Sequence, residues 1–248
     1  MTIKFWSFSS AQSYDKCPKA IEHRYVLKTP KDARDNSAAE RGTAIHKELE
    51  EYLASNTVGV RPNTIASPLE TSSTLTRAPI DPAQFKYEGL VGKIKELCDQ
   101  YPFTQEQMLF FDQNWNPVAT FQEAWLLAAM DVFINISDEE CIIVDWKTGK
   151  KEGNEIKHQQ QSQLYALCAW KRNQNLKKIK VIFVYLDQGT KTEAVWKAGH
   201  MPRFFKTWDA KGKEITSCTS FKPKPNKYSC RYCDYQQSCD FAIKEGDL

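Results

Sequence analysis

Two segments place acids where burial would normally exclude them. Asp131 is the single charged residue in the thirteen of AWLLAAMDVFINI, residues 124–136. An unpaired carboxylate buried in such a strand costs several kcal/mol. It must reach a solvent edge, pair with an internal Arg or Lys, or do chemistry. A second acid ends the apolar run CIIVDWKTGK, residues 141–150. Side chains alternate across a strand, so Asp145 and Lys147 share one face while Trp146 points away. A lone D-x-K arises by chance roughly once in a chain of this length. This one closes a buried strand, one hairpin from a second strand aspartate. Two carboxylates and a lysine so arranged can hold a divalent metal against a phosphate. The metal neutralises phosphate charge and lowers the pKa of an attacking water, and the lysine steadies that water or the developing negative charge.

Cysteine usage suggests a separate chemistry. Of eight cysteines, Cys98, Cys141, Cys168 and Cys218 lie among apolar neighbours and read as small buried hydrophobes. Cys230-x2-Cys233-x5-Cys239 puts three thiols within ten residues. Sulfurs at C-x2-C spacing can bind one metal centre from a single tight turn.

The elements that must position these groups follow from periodicity. Residues 9–27 read as a helix capped by Ser9 or Ser10, with Pro18 disturbing its continuity. A second helix over 38–54 carries Ile45, Leu49, Tyr52 and Leu53 as its apolar stripe. Residues 55–80 are rich in Ser, Thr, Pro and Asn and read as a long loop insertion. Asp81-Pro82 reads as the start of a third helix that ends before Pro102. Strands are expected at 107–111, 121–129, 130–136 and 141–146, with turns at 114–117 and 137–140. A helix over 156–173 and a strand over 178–186 follow. This order predicts a mixed α/β (α+β) domain with a central, mostly antiparallel sheet flanked by helices. The expected division is a core over 1–222 and a small Cys-rich lobe over 223–248.

The chain resembles the PD-(D/E)XK nuclease superfamily, in its RecB-like and phage-type exonuclease branch. A helical G-x-x-x-H is matched by Gly42 to His46, the strand aspartate by Asp131, and D-x-K by Asp145-Trp146-Lys147. Q-x-x-x-Y is matched by Gln161 to Tyr165. All stand in family order over roughly 5–240, and WKTGK and Cys17-Pro18…Tyr25 add to the likeness. One departure is Ala129, where many members carry glycine. The resemblance implies a restriction-endonuclease-like core in which His46, Asp131, Asp145 and the Trp146 carbonyl hold Mg²⁺ or Mn²⁺, an oxygen-loving pair. It implies that Lys147 is the catalytic lysine and that Gln161 and Tyr165 orient substrate or site. Glu50 and Glu123 are candidate auxiliary acids. It further implies that Cys17 joins Cys230, Cys233 and Cys239 around a [4Fe–4S] cluster, although four thiolates suit zinc as well.

Composition bounds the partners. The chain has 248 residues, net charge +3, 41% hydrophobic and 26% charged residues. That is ordinary globular usage, and the total charge does not announce a nucleic-acid binder. Its distribution does more: Lys197 to Arg231 holds nine Lys/Arg against Asp209 and Glu214, interleaved with aromatics. No apolar run approaches the roughly 20 residues of a membrane span, and no secretory h-region opens the chain. A cytoplasmic protein is expected, in a host's cytoplasm if viral. The expected substrate is single-stranded DNA or duplex ends. No G-x-x-x-x-G-K-[ST] loop is present, so a helicase or recombinase partner would be a separate chain. A CRISPR-adaptation nuclease shares the same motifs. A non-catalytic DNA-binding scaffold and a zinc-stabilised interaction module are the alternatives of other classes.

Overall fold

A computed structural model describes residues 2–55 and 86–244. In chain order the elements are β1 (Trp6–Ser7), α1 (Phe8–Lys16), α2 (Pro18–Glu22), α3 (Ser37–Ala54), α4 (Glu88–Gln100), β2 (Phe103–Phe111) and β3 (Pro117–Val118). Then come β4 (Leu126–Asn135), β5 (Glu140–Lys147), α5 (Glu155–Arg172), β6 (Lys178–Tyr185), β7 (Thr190–Lys197), α6 (Met201–Thr216) and α7 (Lys227–Arg231). The helix-flanked, mostly antiparallel sheet expected from the sequence is what forms. The insertion over 55–80 and the Asp81-Pro82 helix start lie almost wholly outside the described residues; α4 ends before Pro102, as read. Two compact units divide the chain: Met1–Asp35, Leu109–Ala128 and Pro202–Leu248 in one, Asn36–Met108 and Ala129–Met201 in the other.

In the second unit the strand order is β2-β4-β5-β6-β7. β4 and β5 form an antiparallel hairpin in register Val132↔Val144 to Asn135↔Cys141. Its turn is closed by Ser137 Oγ, which accepts from the backbone N–H groups of Glu139 (3.2 Å) and Glu140 (3.1 Å). β5 and β6 are parallel, from Glu140↔Lys178 to Lys147↔Tyr185. A parallel pair needs a crossover, which α5 supplies. Val132, Ile134, Val144, Trp146, Ile182 and Val184 share one core with Leu49 and Leu53 of α3 and Val91 and Ile94 of α4. Asp145 and Lys147 alternate with these residues and so project from the opposite face.

Several boundaries differ from the sequence reading. The strands expected at 121–129 and 130–136 are one continuous β4, because no turn residue separates Ala129 from Met130. Residues 121–123 are instead a 3₁₀ turn, closed by a capping box in which Glu123 accepts from Thr120 N–H and Oγ–H (3.3 and 2.7 Å). β7 and α6 were not anticipated. β7 is a polar edge strand that alternates only weakly, and α6 lies within a stretch read for its charge. Its buried Phe204, Trp208 and Ile215 nonetheless follow helical spacing.

In the first unit the single helix expected over 9–27 is broken at Cys17. Pro18 pushes the preceding residue out of helical geometry, and Cys17 is extended (φ −160°, ψ 106°). α2 then restarts with proline at its first position and runs into a π-helical turn over His23–Leu27. Trp6 stacks on Trp208 of α6 (6.2 Å, 17°) and meets Trp115 and Trp125 edge-on. Gly212 is where α6 passes these rings, since a β-carbon there would overlap both Trp125 and Trp6.

Candidate metal and phosphodiester site

The site lies in the second unit, at the ends of β4 and β5. α3 supplies His46 one turn after Gly42. A β-carbon on Gly42 would come within 3.3 Å of Thr148 Oγ1, so the glycine lets the helix pass close to the segment after β5. β4 supplies Asp131, whose Oδ2 accepts the Trp146 N–H at 2.6 Å. His46 Nδ1 lies 3.7 Å from Asp131 Oδ1 and 4.0 Å from Glu106 Oε1. One ligand atom from each of His46, Glu106 and Asp131 falls within 4.8 Å of the others. The Trp146 carbonyl accepts from His46, which brings that backbone oxygen to the same place.

A second group of side chains abuts the first. Lys147 Nζ forms an ion pair with Asp145 Oδ1 (2.5 Å) and donates to Gln161 Oε1 (3.2 Å). Gln161 Nε2 donates to Asp145 Oδ2 (3.2 Å) and to the Tyr165 hydroxyl (2.7 Å). Tyr165 donates to Asp145 Oδ2 at 2.7 Å. Lys147 Nζ also sits 5.5 Å over the Phe183 ring. Asp145 is 3% exposed.

The electrostatics favour a cation. Burial, then the Asp145 charge, pushes Asp131 well above the ordinary carboxylate range, while the Trp146 N–H partly opposes this. Burial, then Glu50 and Asp145, raises Glu106. Burial lowers His46, keeping its imidazole neutral and able to ligate, against the pull of Asp145. Burial and the Asp145 charge hold the Tyr165 phenol up, so it remains a donor. Crowded acids, a neutral imidazole and a backbone carbonyl form an oxygen-rich donor set that fits Mg²⁺ or Mn²⁺.

The sequence reading omitted Glu106. It lies on β2 with a left-handed backbone (φ 47°), which re-aims its side chain as a bulge does. The signal was only an acid in the TQEQ segment, in the strand preceding that of Asp131. The Glu50 carboxylate helps to raise Glu106, and the Glu50 carbonyl accepts from Gln105 Nε2 (3.2 Å). Glu123, considered as an auxiliary acid, has a structural task as the cap of its own turn.

In the first unit, Cys17, Cys230, Cys233 and Cys239 line one cavity of about 330 Å³. Burial, then the Cys17, Cys239 and Cys230 thiols, pushes the Cys233 thiol up. The Lys224 N–H donates to Cys17 Sγ (3.4 Å). Cys98, Cys141 and Cys168 are fully buried as read, while Cys218 is half-buried and donates to the Ser220 carbonyl (3.4 Å).

The sequence profile of the PD-(D/E)XK nuclease superfamily matches residues 5–240. The chain belongs to that superfamily. No curated protein matches the sequence. A solved structure described as "Crystal structure of SSO0001" is similar over 100% of this chain and 89% of its own, at 12% identity and a TM-score of 0.41. Among the described residues no helix is long and apolar enough to cross a membrane.

Proposed function

We propose that this chain is a metal-dependent DNA nuclease acting from DNA ends in recombination, repair or phage DNA processing. The observation that carries the reading is the half-buried His46–Glu106–Asp131 cluster abutting the Asp145–Lys147 pair. In this reading His46, Glu106, Asp131, Asp145 and the Trp146 carbonyl hold Mg²⁺ or Mn²⁺. The bound ion supplies charge neutralisation at the phosphate and a lowered pKa for water. Hydrolysis joins a water oxygen to phosphorus and breaks one P–O ester bond; one proton leaves the water and one reaches the departing oxygen. Lys147, steadied by Asp145, Gln161 and the Phe183 face, presents a fixed cation to the charge that develops. Gln161 and Tyr165 hold the Asp145 carboxylate in one orientation. The restriction to DNA ends rests on the RecB-like order of Gly42–His46, Asp131, Asp145–Lys147 and Gln161–Tyr165.

The cysteines complete the reading. Cys17, Cys230, Cys233 and Cys239 hold a [4Fe–4S] cluster that ties the N-terminal helices to the Cys-rich lobe over 223–248. Support comes from the four thiols lining one cavity. The backbone N–H aimed at Cys17 Sγ is the kind of bond that stabilises a cluster thiolate. Protein purified without oxygen should be brown, with about four irons per chain; stoichiometric zinc without iron would replace the cluster by a zinc site.

The deciding experiment is digestion of end-labelled linear and of circular DNA, single- and double-stranded, with Mg²⁺ or Mn²⁺. Loss of label from linear DNA with circular DNA spared is expected, and Asp145→Ala should abolish it. Cleavage of circles would make the enzyme an endonuclease, and full turnover by Asp145→Ala would remove the site assignment.

A further inference from the structure

The aromatics that interleave the basic stretch do not share one fate. Phe204, Trp208 and Phe221 are buried in the first unit, whereas Tyr228 and Tyr232 are 82% and 72% exposed. The two tyrosines stand four residues apart, on α7 and at its C-cap, and so lie on one side of that turn of helix. Both border the cavity lined by the four cysteines. From Thr219 to Cys233 the chain carries Lys222, Lys224, Lys227 and Arg231 and no acid. On α6, by contrast, Lys211 is paired with Asp15 and Glu214, and Lys213 with Asp209. Asp234, the first acid beyond the tyrosines, is paired with Lys31 at 2.7 Å. The Arg231 guanidinium lies 5.9 Å over the Tyr232 ring, and its carbonyl accepts from Arg34 Nη1 (3.2 Å).

We propose that Tyr228 and Tyr232 form a stacking platform for single-stranded DNA, with Lys227 and Arg231 taking the adjacent phosphates. The choice of DNA as partner rests on the nuclease reading above. Two exposed phenol faces flanked by uncompensated cations match a strand whose bases are unstacked and whose backbone is anionic. Duplex DNA hides its base faces, so the platform engages a single strand or a frayed end. Phe241, Pro223 and Pro225 also line the cavity that the rings border, but the cations beside the rings, with no acid from Thr219 to Cys233, favour an anionic partner.

The test is fluorescence anisotropy of a labelled oligothymidylate with the full-length protein, without divalent metal so that no cleavage intervenes. Tyr228→Ala and Tyr232→Ala should each weaken binding by roughly tenfold, while the Phe variants, which keep the ring, bind within about twofold of the parent. Arg231→Ala should lower the slope of log K against log salt by about 0.7. Melting temperatures should not move, because the rings are exposed. Unchanged affinity in the Ala variants would overturn the platform, as would equal losses in the Ala and Phe variants. A parent that degrades DNA ends with Mg²⁺ yet does not bind oligothymidylate would overturn the platform and leave the nuclease reading standing. Ring-dependent binding by a chain that cuts no DNA would sustain the platform and overturn the nuclease reading. Self-association or a bound protein lost in the Ala variants, with oligothymidylate binding intact, would make this face a protein-docking surface instead.

Discussion

In the proposed reaction Glu106 and Lys147 have different tasks, and their substitutions should separate metal from chemistry. Glu106 gathers with His46 and Asp131 but is more exposed than either of them. Glu106→Gln keeps the shape and removes the charge. Mn²⁺ affinity measured by calorimetry should fall by roughly tenfold or more, and cleavage should recover at high Mn²⁺. Lys147→Ala leaves every proposed ligand in place. Mn²⁺ affinity should stay within about twofold while single-turnover cleavage falls by about 10²–10³. Loss of metal binding in Lys147→Ala would mean that the Asp145 carboxylate depends on its ion pair for its position.

At the level of elements, the Cys-rich segment and α6 make contrasting predictions. Cys233 is one of four thiols around one cavity, and a structural metal contributes folding free energy outright. Cys233→Ser should lower the melting temperature by about 10 °C or more, with near-normal cleavage per folded molecule. A variant that melts like the parent yet does not cut would place the proposed cluster in substrate engagement. Gly212→Ala acts on α6 through sterics alone, because the added methyl meets Trp6 and Trp125. It should cost about 1–3 kcal/mol, read as an earlier thermal transition with the metal content of the parent. Lys147→Ala should show the reverse of both, with near-normal melting and cleavage slowed by about 10²–10³.

For the whole molecule, two sets of groups oppose each other in pH dependence. His158 is buried, stacked on Phe183, with Nδ1 2.7 Å from the Tyr185 hydroxyl, and its pKa is lowered to about 4, mainly by burial. The unfolded chain therefore takes up this proton first, near pH 6.5. Its stabilising contribution is complete above about pH 6.5 and is lost as pH falls toward about 4. Asp131 and Glu106 run the other way, because their folded pKa values are raised. Their contribution is complete below the ordinary carboxylate value of about 4 and is lost as pH rises past the raised values. A bound cation compensates the acids only when they are ionised. Melting curves with and without Mg²⁺ should therefore separate increasingly as pH rises. A Mg²⁺-induced shift that is the same at acidic and alkaline pH would contradict the acid cluster as the binding site.

What was legible in the sequence by itself was local or motif-borne. The stripe Ile45, Leu49, Tyr52 and Leu53 marked α3, the shared face of Asp145 and Lys147 followed from strand alternation, and an isolated acid in an apolar strand marked Asp131. The ordered motifs carried His46, Gln161 and Tyr165, and the cysteine spacing marked three thiols that line one cavity. Tertiary structure decided the rest. Glu106 joins the cluster through a left-handed backbone turn that no residue type in TQEQ demands. Residues 126–135 form a single strand, paired with β1 at one end and with β5 at the other, and α6 was hidden because its charged residues outnumber the few that pack. The tyrosines and tryptophans of the basic stretch look alike in sequence, yet packing buried Trp208 and left Tyr228 in solvent. Periodicity and spacing act within a few residues, whereas burial and the convergence of charges depend on contacts between segments far apart in the chain.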